Sequence, residues 1–261
     1  GSSVPTILAG TSTGMYFSRN NGATWDPADQ EAGVFTDPVF DIRIHPVLSA
    51  TRAIATSHRK VHNPVERDIG KIYLTEDGGL TWMSVPGIPD NAARIELSYA
   101  PSAPLTVYAS LNYAAVPMTT TAPMNTWKGE LWKSVDGGHS FAPVNTSTYY
   151  LQTQGNYDNA IWVHPTKSER LVVGGIDLYR SMDGGKTLDK ISDWQKAKRS
   201  LPSSAHADHH VILGEPGYNG TGYNTIFAAN DGALFKNDNV FAPVPGQAIP
   251  AWDPSPSIGL R

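Results

Sequence analysis

The chain has 261 residues, no cysteine and a formal net charge of -4. These values exclude a disulfide or thiolate-metal framework and leave no basic stripe to follow a nucleic-acid backbone. Hydrophobic residues at 40% can fill a core, and 24 glycines with 20 prolines suit many short strands joined by turns.

Taken in chain order, the expected elements fall into groups of four short strands rich in β-branched and aromatic residues. Gly1–Ser3 reads as a cloning remnant and is set aside. The first group is TILAGT (6–11), MYFSRNNG (15–22) and TWDPAD (24–29), which starts at a second strand. The second is VFDIRIHP (39–46), ATRAIATS (50–57), KIYLTEDGG (71–79) and TWMSVPG (81–87). The third is RIELSYAP (94–101), LTVYASL (105–111), GELWKSVDGG (129–138) and SFAPV (140–144). The fourth is NAIWVHP (159–165), RLVVGGI (170–176), LYRSMDGG (178–185) and a last strand near 187–192. The fifth is HHVILGEP (209–216), NTIFAAN (224–230), ALFKNDN (233–239) and VFAPV (240–244). No apolar run is long enough to span a membrane.

One motif recurs at the same place in each group: SRNNGATW (18–25), TEDGGLTW (75–82), SVDGGHSF (134–141) and SMDGGKTL (181–188), with a decayed KNDN at 236–239. Its third positions are Asn20, Asp77, Asp136, Asp183 and Asn239, at separations of 57, 59, 47 and 56 residues. The Gly-Gly or Asn-Gly pair needs positive φ, and the carboxylate can accept backbone N–H groups inside the turn. The motif therefore staples a hairpin and carries no chemistry. Four strands per repeat, repeated along the chain, implies an all-β β-propeller of about five blades, as one domain over 1–261. The proline-rich tail at 247–261 is expected to close the ring or to begin a further blade.

The motif resembles the Asp-box, or BNR, repeat of sialidases, sortilin-type receptors and xyloglucanases. The run Asp158-Asn159-Ala160-Ile161, then GGIDLYRSMDGGKT and HADHH, resembles secreted bacterial BNR-propeller proteins of a glycosidase-like kind. The resemblance implies the propeller, secretion or display at the cell surface, and a ligand at the mouth of the channel. The Arg-Ile-Pro segment of sialidases does not occur here. Where xyloglucanases carry a catalytic Asp after their first second strand, the matching stretch is Ala9–Gly14, with Ser12 in the carboxylate's place.

In a propeller, the loops entering the innermost strands share one mouth with the loops joining strands two and three. The first set supplies Arg94, Asp158, His206, Asp208, His209 and His210, and the second supplies Asp177 and Asp231. Two long insertions, 57–70 and 111–129, would bring His58, His62, Tyr113 and Trp127 to the same rim. Strand alternation would put His206, Asp208 and His210 on one face, where they could ligate a divalent metal, act as an acid–base set, or plug the channel with hydrogen bonds. Asp177 and Asp231 occupy corresponding places in neighbouring blades, as paired acids, sugar ligands or turn caps. Tyr113, Trp127, Tyr157 and Tyr218 are candidate sugar-stacking rings, while Trp25, Trp82 and Trp132 are expected in blade cores. His45 and His164, each before a proline, read as turn residues. Binding of a glycan or protein ligand is the first expectation. A glycoside hydrolase or lyase built on Asp177, Asp231, Asp208 and His206 is the second, and a structural segment completed by further blades is the third.

Overall fold

The computed structural model describes residues 5–30, 33–59, 69–113, 129–196, 204–242 and 249–257. The first sheet holds β1 (Ile7–Thr11), β2 (Gly14–Ser18) and β3 (Asp26–Pro27) in that order. The second holds β4 (Asp29–Gln30), β5 (Gly33–Val34), β6 (Val39–Ile44), β7 (Ala53–Arg59), β8 (Ile69–Thr75) and β9 (Thr81–Ser84), ordered β5-β4-β9-β8-β7-β6. The third is β10 (Ala92–Tyr99), β11 (Val107–Tyr113), β12 (Glu130–Ser134) and β13 (Ala142–Asn145). The fourth is β14 (Ala160–Val163), β15 (Leu171–Gly174), β16 (Leu178–Ser181) and β17 (Asp189–Lys190), and the fifth is β18 (His209–Gly214), β19 (Ile226–Asn230) and β20 (Leu234–Asn237). These are the blades of an all-β propeller, about five in number, each built on an antiparallel meander, to which the second adds β4 and β5. Among the described residues there is no α-helix, and so none long and apolar enough to cross a membrane.

By contacts the chain forms two compact units. One is Gly1–Tyr99 with Pro104–Thr126 and Lys133–Ala142, and the other is Ala100–Ala103 with Trp127–Trp132 and Pro143–Arg261. The first unit has a core of Met15, Ala28, Phe35, Ala53, Ala55, Tyr73 and Trp82. The second buries Val172, Leu178, Ile212, Ile226, Phe235, Phe241 and Trp252 together. Strand β15, LVVG, is buried at every position, as expected of a strand covered on both faces.

The repeated turn has one geometry in all four copies. The Ser or Thr hydroxyl donates to the third-position side chain: Ser18 to Asn20 (2.9 Å), Thr75 to Asp77 (2.8 Å), Ser134 to Asp136 (2.7 Å) and Ser181 to Asp183 (2.9 Å). The same hydroxyl accepts the N–H of Gly22, Gly79, Gly138 or Gly185. The third-position oxygen then accepts the N–H of Thr24, Thr81, Ser140 or Thr187. Each turn has two consecutive residues at positive φ, Asn21-Gly22, Gly78-Gly79, Gly137-Gly138 and Gly184-Gly185. The second glycine is also a packing requirement. A Cβ there would strike Leu8 from Gly79, Ile54 from Gly138 (2.8 Å) and Leu131 from Gly185. The N–H of the first glycine reaches the neighbouring hairpin of the same blade, donating to Thr51, Leu105 or Glu169 at 2.8 Å.

Several expectations need correction. Trp82 and Trp132 are core residues, but Trp25 is 42% exposed, with its indole N–H donating to Gly22 O at 3.1 Å. After β3 the chain adds β4 to the outer edge of the second blade, parallel to β9. In blade five, Val240 and Phe241 are buried without forming a strand, because Arg180 draws the carbonyls of Val240 and Ala242 onto its guanidinium. The fourth-strand place goes to the tail, where Asp253 exchanges two backbone hydrogen bonds with Lys236 (2.8 and 2.9 Å) and Trp252 is buried. Residues 258–261 lie outside the described residues.

Candidate functional site

At one end of blades four and five, three loops meet. The turn before β14 is closed by Tyr157 N–H to Gln154 O (2.6 Å) and Asp158 N–H to Gln154 O (2.9 Å), which presents Tyr157 outward. The β19–β20 loop is held by the Asn230 side chain, which accepts the N–H groups of Gly232 and Ala233 and leaves Asp231 at the tip. The third is the entry to β18, where Asn230 also binds His206 O at 3.1 Å.

On this frame Asp231 gathers two partners. His210 Nε2 lies 2.8 Å from Asp231 Oδ1, and Tyr157 Oη donates to Asp231 Oδ2 at 3.0 Å. The Tyr157 and His210 rings stand edge to face, 4.9 Å apart. Tyr157 remains 53% exposed. The hydrogen bonds from His210 and Tyr157 hold the Asp231 carboxyl below its usual range. The same bond and charge push the Tyr157 phenol upward. Alongside, Gln154 Nε2 donates to Asp208 Oδ1 at 3.2 Å.

The expected alternation of His206, Asp208 and His210 does not form. Strand β18 begins only at His209, and Asp208 has φ of 65°, which breaks the period of two before the strand starts. His206 is exposed, His210 joins Asp231, and His209 turns inward and is fully buried. Burial drives the His209 imidazole down to about 3, with the neighbouring charges of His210 and His206 adding to the effect. Among the described residues, no three histidine or carboxylate side chains converge as a metal-binding set.

Asp177 and Asp231 are not in corresponding places. Gly174 pairs with Leu178, whereas Ala229 pairs with Leu234, so the second loop is one residue longer. Asp177 closes its hairpin, as Ala233 does in the next blade, each through its carbonyl at 3.1 Å. The Asp177 side chain is buried, with Lys190 Nζ at 2.8 Å, the Ser192 hydroxyl at 3.2 Å and the Trp194 N–H at 2.8 Å. Asp158 is fully buried at the entry to β14.

The other candidates lie in the first unit or outside the described residues. Arg94 turns its Nε and Nη2 onto Glu96 Oε1, both at 2.9 Å. His58 is buried on β7 with its ring 5.2 Å from Phe40, and Tyr113 ends β11 opposite Ala92. His62 and Trp127 lie outside the described residues. Tyr218 is buried, edge to face with Trp162 (4.9 Å) and His164 (5.0 Å), and so presents no open ring. His45 and His164 each accept backbone N–H groups through Nδ1, from Val47 and Leu48 and from Thr166, which makes both turn residues.

With the geometry in view, the chain can be set beside known proteins. No family model matches it, and no curated protein does. Its fold is shared with solved β-propellers, glycoside hydrolases among them. The GH74 enzyme of Niastella koreensis superposes with a TM-score of 0.61 at 18% identity, over 96% of this chain and 36% of that one. The GH74 xyloglucanase from Xanthomonas campestris gives 0.60 at 17%, over 95% and 36%. The GH93 alpha-L-arabinofuranosidase of Fusarium graminearum, in complex with arabinobiose, gives 0.51 at 12%, over 92% and 71%. The chain thus spans about a third of the length of the two GH74 enzymes. At these identities the likeness concerns the fold.

Sequence reasoning missed two features. Gln154 is an ordinary turn residue until Asp208 is placed beside it. An Asp41–Arg43–Glu96–Arg94 network joins β6 and β10. Its signal was present as Asp-Ile-Arg and Arg-Ile-Glu, opposite charges two apart on two innermost strands.

Proposed function

We propose that the protein is a secreted or cell-surface module that binds a glycan on the Tyr157–His210–Asp231 end of blades four and five. The observation that carries this reading is the half-exposed Tyr157 ring, fixed by its hydroxyl to an ionised Asp231 that His210 also holds. A sugar offers an apolar C–H face and a rim of hydroxyls. A fixed aromatic ring beside a carboxylate and an imidazole matches both. The neighbours named xyloglucanase and arabinofuranosidase lend support from the same fold.

Hydrolysis is the second reading, and it has specific needs. One carboxyl must stay protonated as general acid, and another must face it across the bond being cleaved. Asp231 is shifted the opposite way, and Asp177 is committed to Lys190. Both facts favour binding over cleavage at this cluster. The test is a glycan array with wild type, Tyr157→Ala and Asp231→Asn, followed by reducing-sugar assays on each hit. Glycan capture by wild type that both variants lose, with no sugar released, supports the reading. Capture only of protein ligands, or release of reducing ends, overturns it.

A further inference from the structure

Strand β1 occupies a place in its blade that the other blades cover and this one leaves open. It leads into β2, the strand that carries the repeated turn, as β7 leads into β8, β11 into β12 and β15 into β16. Strands β7, β11 and β15 each have a further, inner partner, in β6, β10 and β14. They are buried accordingly, at 53–58, at 107–112 and along the whole of β15. Strand β1 pairs with β2 alone, and no residue of it is buried. Ile7 is 38% exposed.

The open edge has a defined hydrogen-bonding face. Met15, opposite Gly10, donates its N–H to Phe35 O (3.4 Å) and accepts the Ala28 N–H (2.9 Å), both away from β1. In an antiparallel ladder the two members of such a pair turn their backbone groups to opposite outer sides. Gly10 therefore aims its N–H and C=O at the open edge, and Leu8, two residues back, does the same. Among the described residues these four groups have no hydrogen-bond partner.

Natural sheets protect a bare edge with charge, proline or a bulge. From Thr6 to Ser18 no side chain is charged, and β1 has no proline and keeps an unbroken register. A cavity of about 380 Å³ is lined by Pro5, Thr6 and Leu8 together with Ile44, residues 49–53 and Gly78. Within that lining Ile44 is 47% exposed. A Cβ on Gly10 would meet Val39 and Ile42, so the surroundings of β1 on this face are aliphatic.

We propose that β1 is a docking edge for an extended segment of another polypeptide, which adds antiparallel to it as an inner strand. The four backbone groups of Leu8 and Gly10 supply the hydrogen bonds. The aliphatic surroundings select aliphatic side chains at the alternate positions opposite those two residues. Strands β6, β10 and β14 fill the same place in their own blades and show the kind of segment that fits. No residue of the Tyr157 cluster takes part.

The test uses fluorescein-labelled synthetic peptides of residues 39–46, 94–101, 159–165 and 209–216, the chain's own inner strands. Each is titrated by anisotropy into wild type and into Leu8→Pro, in which proline removes the outward N–H without breaking a bond to β2. Hydrogen exchange follows the Leu8 and Gly10 amides. The expected result is saturable one-to-one binding of at least one peptide, with slowed exchange at both amides. Affinity should fall at least about tenfold in Leu8→Pro, and likewise when alternate amides of the peptide are N-methylated. Absence of binding by all four peptides overturns the inference. So does binding that leaves the two amides unprotected, or that survives both Leu8→Pro and N-methylation. Amides already protected in the free protein overturn it as well. Protection unchanged on dilution assigns the edge to the chain's own tail, and protection that rises with dimer mass assigns it to a second copy. Melting temperature shows whether Leu8→Pro folds; if it does not, the N-methylated peptide on wild type carries the comparison.

Discussion

Tyr157 Oη donates to Asp231 Oδ2 at 3.0 Å across 74 positions of sequence. The bond joins the loop entering blade four to a hairpin tip of blade five, and both residues are exposed. Exposed residues gain little stability from such a bond. Its effect is to fix the orientation of a ring and a carboxylate that solvent can reach.

Replacing Tyr157 with Phe keeps the ring and removes the donor. Asp231 then loses one of the two hydrogen bonds that hold its carboxyl low, and its pKa should move back up toward the ordinary value while His210 still holds it in part. Carboxyl NMR titration of Asp231 in the two proteins reads this directly. An unchanged Asp231 titration would show that the bond is not kept in solution.

The repeated turns should serve stability alone. In Asp136→Ala the Ser140 N–H and the Ser134 and Ser140 hydroxyls lose their acceptor, at a cost of about 1–3 kcal/mol. Burial pushes Asp136 up, but the Ser140 and Ser134 hydroxyls outweigh it and bring the group to about 2. A carboxyl depressed in the fold stabilises the native state above its unfolded value of 3.8, and that contribution fades as pH falls through about 2. Thermal melts of wild type and Asp136→Ala should therefore converge between about pH 4 and pH 2. Ligand affinity should not differ between the two folded proteins at neutral pH.

Glycine substitutions separate packing from backbone strain. Gly138 has φ of 101° with Ile54 Cδ1 2.8 Å from where a Cβ would stand, whereas Gly87 has φ of 82° and nothing within 4 Å. Gly87→Ala should cost about 1 kcal/mol of strain, and Gly138→Ala should cost that plus displacement of Ile54. Equal losses in denaturant melts would contradict the packing role of the second glycine.

Those turns were legible in the sequence because everything that makes them lies within eight consecutive residues. The strand groups were legible for the same reason, since β-branched runs and turn signals are local. The candidate site was legible as a region but not as a constellation. A single left-handed residue, Asp208, undid the alternation drawn through His206 and His210. One extra residue in the β19–β20 loop moved Asp231 to a tip while Asp177 stayed in a hairpin base. Strands β4 and β5, two residues each, carry no periodicity to read. The tail's place on β20 depends on Trp252 reaching Ile191 O from 61 positions away, which no local pattern encodes.

Two buried histidines should make stability fall in mild acid. Burial holds His209 at about 3 and His164 at about 4, both below the ordinary histidine value of 6.5. The unfolded chain therefore takes up protons that the fold refuses. Stability is full above pH 6.5 and declines from there toward pH 3. His209→Leu should flatten part of that decline, and the His209 ring should show no NMR titration above about pH 5. A normal His209 titration would contradict its burial.

The central claim is that a glycan binds at Tyr157. Calorimetric titration of the tightest array glycan into wild type and Tyr157→Ala is its most direct test. The predicted result is a loss of affinity of about tenfold or more in Tyr157→Ala, with no change in melting temperature. Equal affinity in the two folded proteins would contradict it.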